Sequence, residues 1–489
     1  MTMKNLRFKS RVATSASTST ALAVALALSA CGTTIPRDEV PSSPTSAAFK
    51  EAPAGWTQAS PADTLDRGPW WTLFNDPALN ALVQRVEVSN QNVAAAAAAY
   101  AQAQALVREQ RASLFPTLGL SGSATRSGGG SGSTSSTASG SGSSASSRYS
   151  LGLTGSWEPD VWGRLRGGVN AAGARAQASA ADLAAARLSA QAELATDYFS
   201  LREADFETAM LRTTITGYEQ SARIIKNRYD AGIVPRSDLL QAQTQLANAK
   251  ADLAGLQRTR AQLEHAMAVL VGEAPANFSV AVVDWTWPAL PAVPGIVPSE
   301  LLQRRPDIAG AERRVAAANA SVGVARAAFF PSFGLSGSYG LGAAKLGDLF
   351  SASAVAWSLG VSVAQTLFDA GARTAQVDEA KAAWEQSVAQ YRQAVLGAFQ
   401  DVEDQLAAAR VLEQQEALRR EASQAADLTE QQVLNRYNAG QITYSDVVAA
   451  QVTALNARRS LAQVVADRQT AAIALIRALG GGWKQPASS

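Results

Sequence analysis

The side chains best suited to chemistry in this sequence stand in two copies of one short pattern. Each copy reads Arg-Tyr-x-Ala-Gly, and a Ser-Asp pair begins five residues after its glycine. The shared residues are Arg228, Tyr229, Gly232, Ser237 and Asp238 in the first copy, and Arg436, Tyr437, Gly440, Ser445 and Asp446 in the second. A glycine suits the left-handed residue that ends a helix, and a serine followed by an acid suits the start of the next helix. The pattern therefore predicts two helix–turn–helix units, with Ser237 and Ser445 as N-caps and the aspartates facing the positive helix end.

Outside this pattern, few residues are suited to catalysis or to binding a metal. The chain of 489 residues contains 1 histidine and 1 cysteine, and no nucleophile, base and orienting group form a recognisable set. His265 stands between apolar residues of a predicted helix, where a packed or solvated histidine is more common than a ligand. The 43 basic residues nearly balance the 41 acidic ones, which gives no basic footprint for nucleic acid. We expect no enzyme, no metal site, no cofactor and no nucleic-acid partner.

The first thirty residues have the composition of an export signal. Four basic residues precede an apolar run over residues 21–30, which is too short to span a membrane. The run ends in Leu-Ser-Ala-Cys, which resembles the lipobox of bacterial lipoproteins, in which the cysteine is acylated and becomes the first residue. The alternative is an ordinary secretory signal with a chance cysteine. We predict a signal peptide over residues 1–30, a covalent lipid on Cys31 and a flexible tether over residues 31–66.

The remaining chain contains an internal sequence repeat that covers most of its length. Residues 114–123 return as residues 329–338, and the Arg-Tyr pattern returns in the same order at a similar offset. Such self-similarity indicates duplicated structural units. We therefore predict a first repeat over residues 67–298 and a second over residues 299–489. Each has the order helix, strand, loop, strand, long helix, turn, helix.

The strands are predicted from alternation of apolar with small or polar residues, which indicates a sheet with two different faces. Pro116 and Pro331 stand near strand starts, where a missing N–H does least harm. Residues 127–147, almost all Gly, Ser and Thr, read as a surface loop, with an interdomain linker as the alternative. An aromatic set could lie at a membrane interface or pack in the core. This set is Phe115, Trp157, Phe329, Phe330 and Trp357.

The long helices are predicted from the absence of proline over residues 166–229, a length on the order of 90 Å as one helix. Leucines then recur at intervals of seven, at Leu239, Leu246 and Leu253, which indicates a coiled-coil seam. The sequence contains no run of about 18 apolar residues, which a membrane-spanning helix requires. If the chain crosses a membrane, it must therefore do so with β-strands. Four strands per chain cannot close a barrel, and open edges are not tolerated in lipid, so the sequence implies an oligomer.

Four further motifs, together with the repeat and the lipobox, resemble the TolC-like outer-membrane efflux factors, in their NodT-type lipoprotein branch. The motifs cover residues 70–77, 157–164, 304–308 and 478–483. The resemblance implies an α+β fold: a homotrimer in which a 12-stranded antiparallel transmembrane β-barrel, four strands per chain, stands on a long α-helical coiled-coil barrel. A mixed equatorial region would surround the helices, formed by the Trp70 region, by residues 274–298 with a strand candidate at 278–287, and by the C-terminal tail.

The resemblance also implies a function, namely the exit duct of a tripartite export system of the resistance-nodulation-division type. The duct would be anchored in the outer membrane, extend into the periplasm and dock to a periplasmic adaptor and to an inner-membrane pump that supplies the energy. Asp238 and Asp446 would ring the closed periplasmic tip, and Asp446 is the better candidate because it matches the family's position in the second copy. A second family acid three residues further on is absent, since Ala449 stands there, and the ring is therefore less acidic than in the family. The Arg and Tyr of each copy would hold neighbouring coils together. The alternative is a periplasm-spanning structural lipoprotein, which leaves the paired alternating strands unexplained.

Overall fold

The protein, described by a computed structural model over residues 49–51, 69–128, 146–291 and 304–481, divides into two compact units. One unit contains the described residues of 103–176 and 314–388. The other contains the described residues of 41–102, 177–313 and 389–489. Each unit therefore takes segments from both halves of the chain.

From the second helix onward, the described elements of the first half have the same order as those of the second half. After a 3-10 turn at Trp70–Phe74, the elements are α1 (Pro77–Ser89), α2 (Gln91–Ala112), β1 (Thr117–Ser127), β2 (Ser146–Trp157), α3 (Arg164–Asp230), α4 (Arg236–Leu270), α5 (Pro306–Ala327), β3 (Ser332–Ala343), β4 (Val355–Ala364), α6 (Ala372–Asn438) and α7 (Tyr444–Ala478). Helices α3 and α6 each have 67 residues, and α4 and α7 each have 35. At 1.5 Å per residue the longer pair extends about 100 Å. The predicted order of elements and the two long helices are confirmed.

The first unit contains one antiparallel sheet with the strand order β1-β2-β3-β4. Pro116 and Pro331 directly precede β1 and β3, as predicted, so their missing N–H groups fall outside the ladders. The register aligns one apolar residue of each strand in a row across the sheet: Leu120, Leu153, Tyr339 and Trp357. Directly opposed residues share a face, so this face is apolar, and Trp357 is 75% exposed on it.

The opposite face of the sheet is made of small and polar residues. Ser123 pairs with Ser150 through their hydroxyls at 2.8 Å, and Ser338 pairs with Ser358 at the same distance. Glycines, serines and threonines fill most other positions of this face, and the exceptions are Arg148, Ala356 and Ala364. The sheet therefore has one apolar face and one hydroxyl-rich face.

The second unit is held by an aromatic and aliphatic core with a helical seam beside it. Trp70, Trp71 and Phe74 are buried against Tyr198 and Phe199 of α3. The heptad leucines of α4 lie along the seam, where they pack near residues of α3 and α7. In one cluster, three leucines of α4 pack against Leu211, Ile215 and Tyr218 of α3 and Leu455 of α7. These leucines are Leu246, Leu253 and Leu256. The coiled-coil prediction is confirmed for these residues.

The predicted strand at residues 278–287 is wrong. Within the described part of the chain this segment pairs with no strand, and side chains bind its backbone at Val280. The Val280 N–H donates to the Glu264 carboxylate at 2.6 Å, and the Val280 carbonyl accepts from Arg260 Nη2 at 2.6 Å. Trp285 packs against aromatic residues of α3. The alternation in this segment reflects packing on the helices and not pairing in a sheet.

Candidate functional site

The candidate site consists of two turns in the second unit, the first turn (residues 231–235) between α3 and α4 and the second turn (residues 439–443) between α6 and α7. Gly232 has φ +71° and Gly440 has φ +72°, the left-handed region in which a side chain is strained. The Gly232 N–H donates to the Tyr229 carbonyl at 2.9 Å, and the Ile233 N–H donates to the Arg228 carbonyl at 2.8 Å. This pair of bonds is the Schellman motif. The predicted helix ends are confirmed.

The second turn repeats this geometry. The Gly440 N–H donates to the Tyr437 carbonyl at 2.9 Å, and the Gln441 N–H donates to the Arg436 carbonyl at 3.0 Å. The Arg-Tyr pair therefore supplies carbonyls to the turn in both copies, whatever its side chains do.

The predicted N-caps, Ser237 and Ser445, are wrong by two residues. The N-caps are Pro235 and Thr443, so each serine lies inside the first turn of its helix. The error arises because α4 and α7 begin immediately after Pro235 and Thr443, both of which have the extended backbone of a cap. The aspartates are in the first helical turn, as predicted.

The two aspartates differ in what their carboxylates bind. Asp446 forms a capping box, in which its Oδ2 accepts from the Thr443 N–H at 3.0 Å and from the Thr443 hydroxyl at 2.8 Å. Proline at position 235 has no N–H to offer, so Asp238 has no such box. Asp238 is half-buried, whereas Asp446 is exposed. The repeat in sequence has therefore produced two different acidic sites.

Contacts between the two turns join the halves of the chain. The Arg228 guanidinium lies over the Tyr437 ring, 5.3 Å from its centroid, and Tyr437 packs against Tyr444 with ring centroids 5.6 Å apart. Beneath them, Ile225 and Val447 are buried in a shared apolar cluster. Tyr229 and Arg436, the counterparts in the pattern, are exposed. One Arg-Tyr contact thus forms between the copies, and the other two side chains face outward.

Burial and neighbouring groups hold Tyr444 in its neutral form. Burial, with smaller contributions from Tyr437, Tyr218 and Asp238, raises the pKa of Tyr444 to about 12. Asp238 therefore lies near a neutral phenol on α7. Sequence analysis did not identify Tyr444, because the predicted cap at Ser445 placed Tyr444 in the turn and not in the helix.

A set of acidic residues on α3 and α7 was also missed. Burial and the neighbouring Glu193 raise the pKa of Asp197 to about 6. Burial, with Glu207 and Asp467 nearby, raises the pKa of Glu203 to about 7. Both carboxylates belong to α3, and each retains its proton to a higher pH than an exposed carboxylate does.

The remaining predicted positions have varied outcomes. Cys31, the signal segment and most of the 127–147 loop lie outside the described residues. In the aromatic set, Phe115, Phe329 and Trp357 are exposed, and Phe330 stacks on a tryptophan within its own unit. Among the described helices, none is both long enough and apolar enough to cross a bilayer.

Comparison with known proteins decides the family. The family model described as outer membrane efflux protein matches residues 82–273 and 297–481, which is most of the chain. The chain belongs to the outer membrane efflux protein family. The resemblance inferred from its motifs is thereby confirmed.

Curated relatives and a solved structure agree with this family. The chain is 31% identical over 452 residues to the probable efflux pump outer membrane protein TtgC of Pseudomonas putida, covering 92% of each chain. It is 32% identical over 461 residues to the outer membrane protein OprJ of Pseudomonas aeruginosa, covering 94% of each. The solved outer-membrane channel OprN matches with a TM-score of 0.78 at 31% identity, over 92% of this chain and 100% of that one.

As a member of this efflux family, the chain is an outer-membrane channel protein. Its mostly helical fold with one sheet is the fold of the solved channel. The two turns described above lie at the ends of its longest helices.

Proposed function

We propose that three copies of this chain form the exit duct of a tripartite efflux system, with their sheets closed into one transmembrane barrel of twelve strands. The observation that carries this proposal is the four-stranded sheet, with its apolar face exposed and its other face lined by hydroxyls and glycines. Lipid contacts the apolar face, and water fills the lumen on the hydroxyl-rich face.

The free edges of the sheet require further copies. Within the described chain, the outer edges of β1 and β4 have no strand partner. A strand edge exposes N–H and carbonyl groups that lipid cannot satisfy, so β4 of one copy pairs with β1 of the next. Three copies close the barrel, by analogy with the family.

The helices extend the duct through the periplasm. Helices α3 and α6 are too long to be buried in a compact domain, so neighbouring helices stabilise them along their sides. The two turns form the periplasmic tip, which an adaptor protein and an inner-membrane pump engage and open. The pump supplies the energy, and the duct itself performs no catalysis.

At the tip, Asp446 of each copy contributes to a ring of carboxylates around the axis. Like charges at short range attract cations and disfavour anions, so the ring filters ions when the tip is closed. The Asp446 carboxylate is exposed, and only its Oδ2 accepts the hydrogen bond from the Thr443 N–H that forms the capping box. Asp446 can therefore cap the helix and face the axis at the same time. Asp238, half-buried near Tyr444, contributes less.

Cys31 carries the lipid that anchors each copy in the outer membrane. Its position directly after an apolar run supports this assignment. No other cysteine is present in the chain for it to pair with.

The mass of the detergent-solubilised complex tests the assembly. We expect three copies per particle and a slow-migrating band on unheated gels that is lost on boiling. A structural coiled-coil lipoprotein would give no heat-sensitive oligomer. A monomer, or an oligomer whose migration does not change on boiling, would contradict the proposal.

A further inference from the structure

Three exposed apolar side chains flank the free edges of the sheet in the first unit. Leu367 and Phe368, in the connection from β4 to α6, are 91% and 87% exposed. Phe115, between α2 and β1, is 68% exposed. We call the end of the sheet at which β1 and β3 begin and β2 and β4 end its base. All three residues lie at this base, in the connections next to the two outermost strands.

The inner junction at the base is closed by contacts within the chain. Trp162, after β2, stacks on Phe330, before β3, with ring centroids 4.8 Å apart and planes at 23°. The Trp162 indole N–H also donates to the Pro331 carbonyl at 2.7 Å. The residues following one strand thus cover the aromatic residue preceding the next strand.

The outer edges of the sheet carry the same components, but no described residue of the chain covers Phe115 as Trp162 covers Phe330. Phe115-Pro116 is the counterpart of Phe330-Pro331 in the duplicated sequence, and each pair directly precedes a strand. Phe330 is half-buried by Trp162, whereas Phe115 remains exposed. The residues that follow β4 and would cover it in a neighbouring copy are Leu367 and Phe368.

The register brings the ends of adjacent strands together, pair by pair, at the base. Ala364, the last residue of β4, is opposite Ser332, the first residue of β3, and Thr117, the first of β1, is opposite Ser156 near the end of β2. Antiparallel pairing of β4 with β1 of another copy therefore brings the residues after β4 beside those before β1. Phe115 stands two residues before the start of β1, and Leu367 stands three residues after the end of β4.

We propose that Leu367 and Phe368 of one subunit pack against Phe115 of the next subunit and seal the base of each subunit junction. This contact rests on the proposed trimeric duct. Its occupant is a second copy of this chain, because the two free edges are antiparallel complements and each carries half of an apolar contact that the inner junction already displays.

A charged group beside the apolar residues Leu367 and Phe368 indicates that protein, and not lipid acyl chains, covers them. Asp369 directly follows Phe368 and accepts from the Gly371 N–H at 3.1 Å and the Arg373 N–H at 3.3 Å. An ionised carboxylate of this kind is costly within hydrocarbon. Leu367 and Phe368 therefore lie outside the hydrocarbon layer, where acyl chains do not cover them.

Cysteine cross-linking in the intact assembly tests the contact. Phe115→Cys combined with Phe368→Cys, and separately with Leu367→Cys, is oxidised in membranes and resolved on denaturing gels. Within one chain the two positions are three strand spacings apart, about 14 Å, which is beyond the reach of a disulfide. A cross-link therefore reports neighbouring subunits. The matched control combines Phe115→Cys with Phe350→Cys, since Phe350 is 77% exposed but belongs to the β3–β4 connection at the other end of the sheet.

We expect cross-linked dimers and trimers from at least one of the two base pairs, and none from the control or from single variants, which also exclude bonding through Cys31. Heat-sensitive trimers that conduct ions but give no cross-link from either base pair would overturn this contact and leave the duct intact. Absence of trimers in the unaltered chain would overturn the contact together with the proposed function.

Discussion

The Arg228 guanidinium lies 5.3 Å from the centroid of the Tyr437 ring, so the end of α3 is joined to the end of α6. The sequence pattern contains two Arg-Tyr pairs, but this contact takes its arginine from the first copy and its tyrosine from the second. The two copies of the pattern thus form one Arg-Tyr contact between them, and Tyr229 and Arg436 remain exposed.

Arg228→Gln is expected to loosen both turns, because a cation over an aromatic ring contributes roughly 0.5–2 kcal/mol. Hydrogen–deuterium exchange should become faster over residues 228–238 and 436–446 together. Arg436→Gln is the matched control, since Arg436 is exposed in the equivalent position. Equal exchange rates in the two variants would show that the contact does not hold the tip.

Asp446→Asn is expected to lower the cation selectivity of the channel while keeping its helix cap, because an amide oxygen can still accept from the Thr443 N–H. Reversal potentials across a salt gradient measure the change, which should shrink at high salt as screening increases. Asp238→Asn serves as the comparison and should have the smaller effect. An unchanged reversal potential in Asp446→Asn would remove this residue from the ion filter.

Glu203→Gln is expected to stabilise the protein above neutral pH. Burial raises the pKa of Glu203 to about 7 from an ordinary value of 4.5, so the folded state retains a proton that the unfolded state loses. Stability from this group is present below pH 4.5, falls as pH rises towards 7 and is then lost. Thermal unfolding of Glu203→Gln should therefore show a weaker decline between pH 5 and 7. Exposed Glu421→Gln is the control, and parallel pH profiles for Glu203→Gln and the unaltered chain would contradict the assignment.

Cys31→Ser is expected to abolish acylation. Mass spectrometry of the mature protein should lose the increment of the lipid, because serine has no thiol to accept the chain. Retention of residues 1–30 in a normally inserted wild-type protein would contradict the lipobox assignment.

The parts of this fold that follow from sequence are those fixed by local chemistry. Gly232 and Gly440 marked their turns because few other residues adopt a positive φ without strain. Pro116 and Pro331 marked strand starts because proline cannot donate to a ladder. The repeat then indicated that both halves share one order of elements.

The features of the structure that could not be predicted from the sequence depend on contacts with other elements of the fold. Residues 278–287 alternate as a strand does, yet Arg260 and Glu264 of α4 bind the backbone of Val280. The proton affinity of Glu203 depends on burial between helices, which no local pattern records. The difference between the acidic sites follows from Pro235 and Thr443, whose roles as caps emerged only from the backbone.

The central claim is that the sheet faces lipid on one side and water on the other. Leu359 and Ser358 are neighbours on β4 that lie on opposite faces, so the same substitution at each gives a matched pair. An arginine on the lipid face costs roughly 2–4 kcal/mol at the midplane, whereas the lumen tolerates it. In planar bilayers, we predict single-channel conductance for the unaltered chain, conductance with increased anion preference for Ser358→Arg, and loss of inserted channels for Leu359→Arg. Normal channels from Leu359→Arg, or no conductance from the unaltered trimer, would contradict the account.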